Sequence, residues 1–329
     1  MSQALEKDLI GKREQLADYI ALVDERSTPF VSVCQKSKQL TNTFFEWIVD
    51  AYAAPSTTPA VDGTDVAAFS NSTANRARLQ NYIHYFRSAN MVSSLAQEVA
   101  VTPSGNLIGE ARRKALVEMK RSMEAAFLGD NEMQADNGAV GYQTRALGTW
   151  ISNSAQSLNP VPAAYRPASG QIITTATANL SESDLQNMLQ SIYDATGLSG
   201  DYKFVVGSTL RRRLTDMTTL VSSGSTNTQV GTRTFTATQS SEAITKTVTQ
   251  YTGDYGTFDV ISDNWIGYAS GAPEKGRGYV LDLDKITLRY HGMPEIKPLE
   301  DQGGGPRFYI RNYSGLEVCN PIGLGQFNP

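Results

Sequence analysis

The 329-residue chain is short of several things, and each shortage excludes a class of protein. It has only two cysteines, Cys34 and Cys319, far apart in the sequence. Free thiols and a cytosolic maturation are the simplest reading. It has two histidines, His84 and His291, neither with a second His or a Cys at ligand spacing, so no zinc-site pattern exists. Charged residues make up 19%, below the roughly 25% usual for soluble domains. The 29 Lys plus Arg against 33 Asp plus Glu give a net charge of −4, which is not that of a basic nucleic-acid binder. No apolar run approaches the roughly 18 residues that a membrane span requires. Residues 1–12 are polar and charged, without the apolar centre of a secretory leader. The Asn-x-Ser/Thr triplets at Asn71, Asn179 and Asn312 therefore carry no expectation of glycosylation. The Gly-x-Ser-x-Gly elbow, the phosphate loop and a strand-to-helix Gly-x-Gly-x-x-Gly are all absent.

What is present is enough apolar material for a core. The apolar fraction is 40%, with 11 Phe, 15 Tyr and 3 Trp, which argues against intrinsic disorder. The length suggests two or three structural units. Residues 3–24 read as a short amphipathic helix on Leu5, Leu9, Leu16 and Ile20, and Pro29 is expected to stop any helix. Residues 25–43 have no period and read as an extended arm. The aromatic and β-branched run 44–54 predicts a strand, 55–75 a loop tip and 76–92 the returning strand, together one long hairpin-like excursion. The strongest helix signal covers 105–128, with Ser104 as candidate cap, Gly129 at its end, and Arg112, Arg113, Glu118, Lys120, Arg121 and Glu124 on its outer faces. A Ser-x-x-Asp capping pattern opens a second helix at 181–196. A buried strand at 201–208 and a third helix at 208–221 follow. Residues 221–250 hold 14 Ser or Thr and read as a Thr-rich β region. Strands are expected at 255–268 and 278–292, and a strand pair at 306–320. Helices in the middle with strands around them make the class α+β.

Candidate chemistry is thin. A lone strand histidine is more often packed or solvent-facing than catalytic. Asp282 and Asp284 alternate with Leu281 and Leu283, so a strand would put both carboxylates on one face, as a cation site, an acid/base pair or simply a solvated face. Asp62 and Asp65 could hold calcium, but the full acidic calcium-loop pattern is missing. Arg211, Arg212 and Arg213 form the densest basic cluster, a site for phosphates, for a neighbour's acidic groups, or a salt-bridged helix face. No catalytic, cofactor-binding or metal residue is assigned. The arm and the excursion cannot bury Phe30, Val31, Phe44, Phe45, Trp47, Ile48, Tyr82, Ile83, Tyr85 and Phe86 alone. These residues either fold back on the chain or lie on neighbouring subunits. Burying five such side chains would stabilise by about 8–15 kcal/mol before ordering costs.

The order of elements resembles that of tailed-phage major capsid proteins with the Hong Kong ninety-seven type fold, and is most similar to the family of short-tailed phages and related prophages. The segments that carry the resemblance are 25–52, 104–130, 144–151, 252–263 and 278–304. The resemblance implies an N-terminal arm (1–43), an extended loop (44–92), a peripheral domain (93–169) with its spine helix at 105–128, an axial domain (170–277), and a return to the peripheral domain with the tail (278–329). It implies a self-assembling structural protein, not an enzyme, that forms pentamers and hexamers closing an icosahedral shell around double-stranded DNA. Partners would be further copies of the chain, a separate scaffolding protein, a portal and a decoration protein, with no membrane and no cofactor. Location would be the virion, after assembly in the host cytoplasm. Expected inter-subunit contacts are Phe30, Phe44, Trp47, Asp62, Asp65, Tyr82, Tyr85, Arg211 and Arg212. Some relatives weld subunits through a loop lysine and an asparagine. Here no lysine occurs between Lys38 and Lys114, so the shell is expected to lack such bonds. The rival readings are a cellular nanocompartment shell on the same fold, a phage tail or adhesion protein, and a hydrolase built on a carboxylate pair.

Overall fold

The structure, a computed structural model, describes residues 27–37, 40–63, 65–66, 69–98, 106–217, 249–268 and 274–329. The helix expected at 3–24 and nearly all of the Thr-rich region at 221–250 lie outside these residues. The first half contains α1 (Pro29–Val33), β1 (Gln35–Ser37), β2 (Phe44–Val49), β3 (Ala77–Tyr82), β4 (His84–Met91), α2 (Ser94–Glu98), α3 (Leu107–Phe127) and α4 (Leu147–Trp150). The second half contains β5 (Ile172–Ile173), α5 (Glu182–Thr196), β6 (Gly200–Val206), α6 (Ser208–Met217), β7 (Gln250–Gly253) and β8 (Gly256–Ser262). The chain closes with β9 (Gly278–Leu281), β10 (Ile286–Tyr290), β11 (Glu295–Leu299), β12 (Arg307–Val318) and β13 (Gly325–Phe327).

The long helix α3 forms where the apolar spacing placed it. Ala115, Met119, Met123, Ala126 and Phe127 fall on its buried side. The cap is Asn106, whose side chain accepts the Gly109 N–H at 2.8 Å, and the expected cap Ser104 lies outside the described residues. Its 21 residues extend about 32 Å at roughly 1.5 Å per residue. Helix α5 follows its sequence signal closely. Ser181 and Asp184 form the capping box, and Gly197 closes the helix at a φ of +70°.

Two sheets surround these helices. The first is built on β12, whose buried residues alternate: Phe308, Ile310, Asn312, Ser314, Leu316 and Val318. One edge of β12 pairs with β11 over 307–311 and with β10 over 314–318, and the other edge pairs with β4 over 307–314. β1 extends the sheet in parallel beside β10. The second sheet has the order β5-β13-β9-β6-β8-β7. One face packs Phe204, Val206, Phe258 and Val280 under α5 and α6. The opposite face sends Val205, Tyr279 and Leu281 into the core beneath α3 and the first sheet. The two sheets therefore share packing, and the α+β class holds.

Several expectations change. Pro29 does not stop a helix. It is the first residue of α1, where its fixed φ and missing N–H fit. The run 76–92 is two strands divided at Ile83. β3 returns against β2, whereas β4 belongs to the β12 sheet. The run 278–292 likewise divides between the two sheets, and 306–320 is one long strand rather than a pair. Asp282 and Asp284 do not share a strand face. Asp282 accepts the Asp284 N–H at 3.0 Å at the start of a 3-10 turn, Leu283–Lys285, and Asp284 accepts from the Gln35 amide. The arginine cluster is dispersed by the helix. Arg211 donates to the Val260 carbonyl, Arg213 donates to the Leu180 carbonyl, and exposed Arg212 lies 4.0 Å from Asp216.

Candidate functional site

The hairpin β2–β3 is the feature that the fold holds out from its body, and its foot is anchored by buried polar contacts. Pairing runs from Phe44 opposite Tyr82 to Val49 opposite Ala77. Asn81, fully buried, is the main anchor. Its amide donates to the Leu316 carbonyl at 2.6 Å and to Thr144 Oγ1 at 2.9 Å, and its Oδ1 accepts the N–H groups of Arg145 at 2.8 Å and Tyr82 at 2.9 Å. Trp47 packs 5.6 Å from the Trp150 ring and donates its indole N–H to the Val318 carbonyl at 3.2 Å. Arg145 lies 4.8 Å above Trp150 and pairs with Glu132 at 2.6 Å. Hairpin, long strand and the loop before α4 are thus tied at one point.

The tip is the opposite. Every described residue from Ala51 to Arg76 is exposed. Its neck is closed by Arg76 on Asp50 at 2.8 Å, by Asn75 on the Ala51 carbonyl at 3.1 Å, and by the Tyr165 hydroxyl on the Asn75 carbonyl. Beyond the neck, Tyr52 and Phe69 are 102% and 90% exposed, and Val61 and Val66 are exposed as well, with Ile48 exposed on β2 just below it. The only charges from residue 50 to residue 75 are Asp50, Asp62 and Asp65. The tip is thus both apolar and acidic, with no core of its own among the described residues.

The root of the N-terminal segment is held by a buried carboxylate. Glu124 lies at zero exposure on α3. Its two oxygens accept the Phe30 N–H at 2.6 Å and the Val31 N–H at 2.7 Å, at the N-terminus of α1. Thr28 makes no cap bond, so the cap of α1 comes from a residue more than ninety positions away. The Trp265 indole donates to the Ser27 carbonyl at 3.1 Å. Asp263, beside Glu124, accepts the Trp265 N–H at 2.7 Å. Burial, with Asp263 beside it, pushes the Glu124 carboxyl up to about 9, and burial also raises Asp263.

The contact residues expected from sequence separate into groups. Phe30 and Trp47 are core residues of this chain, at 1% and 8% exposure, so neither is a surface contact. Phe44 and Tyr82 pair their rings at 4.8 Å, half-buried at the hairpin foot. Tyr85 stacks on Tyr313 at 4.8 Å with one side exposed. Asp62 and Asp65 lie together on the tip and make no ion pair among the described residues. Arg211 and Arg212 stand on α6, away from the hairpin, the first turned inward and the second outward. Sequence reasoning missed Asn81, Glu124 and Asp263. The sequence pattern puts Glu124 on an outer face of α3, whereas it is fully buried. Its position one residue after Met123 and three before Phe127 was the available signal.

Cys34 and Cys319 are both free, and burial raises both thiols, with Cys319 at about 11. His84 stacks on Phe86 at 4.1 Å, and burial lowers it to about 4. His291 faces the Leu40 carbonyl at 2.8 Å. No grouping of three or more His, Cys, Asp or Glu able to hold a metal occurs among the described residues. No described helix is long and apolar enough to cross a membrane.

Comparison with solved structures finds the same fold in phage capsids. The capsid asymmetric unit of cyanophage A-1(L) superposes with a TM-score of 0.66 at 14% identity, covering 98% of this chain and 97% of that one. The capsid structure of cyanophage P-SCSP1u gives 0.60 at 11% identity, covering 96% and 92%. A chain from Mycobacterium phage Cain gives 0.60 at 12% identity, covering 100% and 99%. None of the curated proteins matches the chain. The family model described as SU10 major capsid protein matches residues 3–328, almost the full length. With the Hong Kong ninety-seven type fold observed and the family match continuous along it, the chain belongs to the SU10 major capsid protein family: it is a structural protein of a phage capsid, not an enzyme.

Proposed function

We propose that copies of this chain associate into five- and six-membered rings that close an icosahedral shell around packaged double-stranded DNA, with the hairpin of each copy laid across an adjacent subunit. The exposed apolar and acidic tip carries the reading. With Ile48 on the adjoining strand it has five large apolar side chains in water and no core to bury them in. Burying them on a neighbour would contribute about 8–15 kcal/mol gross, divided among many weak contacts of a closed shell. In this reading residues 1–43 are the arm, 44–92 the extended loop, 93–169 and 278–329 the peripheral domain with α3 as spine, and 170–277 the axial domain. A separate scaffolding protein, a portal and a decoration protein complete the partners, and assembly takes place in the host cytoplasm.

The shell in this reading is not cross-linked through the hairpin. The excursion contains no lysine, and Lys38 and Lys114 bracket it. The test is assembly of the purified chain, followed by light scattering after size exclusion and by negative-stain imaging, with a denaturing gel of the particles. Rings, tubes or shells that run as one band at the monomer mass are expected. A stable monomer at high concentration would refute the assembly reading, and a covalent ladder would refute the uncross-linked one.

A further inference from the structure

Glu124 and Asp263 raise a problem of charge. Glu124 is fully buried and Asp263 is 5% exposed. Neither makes an ion pair with Lys, Arg or His among the described residues. Two ionised carboxylates side by side in an apolar core, with no cation, are not sustainable. Asp263 Oδ2 is buried and makes no hydrogen bond if both groups are treated as pure acceptors. A proton between them turns two facing acceptors into a donor and an acceptor. The other three carboxylate oxygens each accept an N–H: Glu124 Oε1 from Phe30, Glu124 Oε2 from Val31, and Asp263 Oδ1 from Trp265.

We infer that Glu124 and Asp263 hold one proton between them in the folded chain, and that this shared proton fastens residues 27–33 where α3 meets the end of β8. Three segments converge there. The N-terminal root supplies two N–H groups and the Ser27 carbonyl, α3 supplies Glu124, and the turn after β8 supplies Asp263 and Trp265. The root is tied to the pair through the two N–H groups that Glu124 accepts, so docking of the root and protonation of the pair are linked. The inference concerns the single chain and does not depend on how copies assemble.

Four other ionisable groups lie around the pair. The Cys34 thiol and the Tyr290 hydroxyl are both raised by burial, Tyr290 to about 12, and both feel the Glu124 charge. Lys36 acts on Cys34 from the adjoining strand. Arg121, one turn earlier on α3, lies 5.8 Å over the Trp265 ring. Because the folded pair binds a proton that the unfolded carboxyls release above their ordinary range, the pair's contribution to stability is complete below that range and is lost as pH rises toward about 9.

Infrared spectroscopy of the purified full chain tests the inference directly. The carbonyl stretch of a protonated carboxyl is expected at pH 7, and it should fade as pH rises through about 9. It should also be absent in Asp263→Asn, whose amide donates to Glu124 without needing the proton. Between pH 7 and 9 the unfolding constant of the native chain should rise by up to about tenfold per pH unit. In Asp263→Asn and in Glu124→Gln that slope should flatten. Absence of the band from the native chain at pH 7, or an equal slope in a folded variant, would overturn the inference.

Discussion

Replacing Asn81 by alanine tests whether the hairpin is held by its foot or by its ladder. The substitution deletes four hydrogen bonds at a site with zero exposure. The Tyr82 N–H is adjacent in sequence, and Thr144 Oγ1 retains the Leu316 N–H at 3.3 Å. The Arg145 N–H loses its side-chain acceptor, and the Leu316 carbonyl loses a donor. An orphaned buried group costs about 1–3 kcal/mol, so two of them give a loss of about 2–6 kcal/mol. Asn81→Asp keeps the shape but turns a carboxylate toward the Leu316 carbonyl and the Thr144 hydroxyl. At neutral pH it should be at least as damaging as alanine, and it should recover partly in acid as the carboxyl gains a proton to donate. Urea unfolding followed by tryptophan emission is the assay, since Trp47 and Trp150 lie beside the anchor. A loss below about 1 kcal/mol for alanine would refute the reasoning. So would an aspartate variant indifferent to pH.

Three further outcomes are expected. Trp47→Ala should cost about 3–5 kcal/mol in the same assay, whereas Trp47→Phe keeps a ring against Trp150 and loses about 1 kcal/mol with the Val318 bond. His84, lowered by burial to about 4, stays neutral in the folded chain while the unfolded chain takes up a proton. Its stabilising contribution is complete above about pH 6.5 and declines as pH falls to about 4, so His84→Phe should flatten the acid side of a melting-temperature profile. Gly148→Ala would drive a methyl into the Asp130 carboxylate and to 2.8 Å from the Gly129 carbonyl. It should cost at least about 1–3 kcal/mol by calorimetry and disturb the Arg277–Asp130 pair.

Features written in local spacing were legible in the sequence. Helix α3 announced itself through Ala115, Met119, Met123 and Phe127, and α5 through Ser181, Asp184 and Gly197. Features that depend on distant partners were not. Pro29 looks like a stop unless one knows that Glu124 lies ready to cap the helix it begins. Nothing around Ile83 says that the residues on its two sides join different sheets, because both halves alternate alike. Asp282 and Asp284 alternate like a strand, yet the chain turns there to cross between sheets. Phe30 and Trp47 were legible as apolar residues in need of burial, but whether a neighbour or their own chain buries them is a tertiary fact.

The single residue between β3 and β4 has a mechanical consequence. Ile83 is buried, and its N–H donates to the Thr43 carbonyl at 3.0 Å, so both legs of the hairpin are clasped at that level. The other leg is clasped again where the Leu40 N–H meets the Tyr290 carbonyl. A load on the tip therefore passes through Ile83 into β4, which is held by eight residue pairs with β12. The hairpin has no free hinge at its base: a load on the tip is carried by the ladder of the β12 sheet.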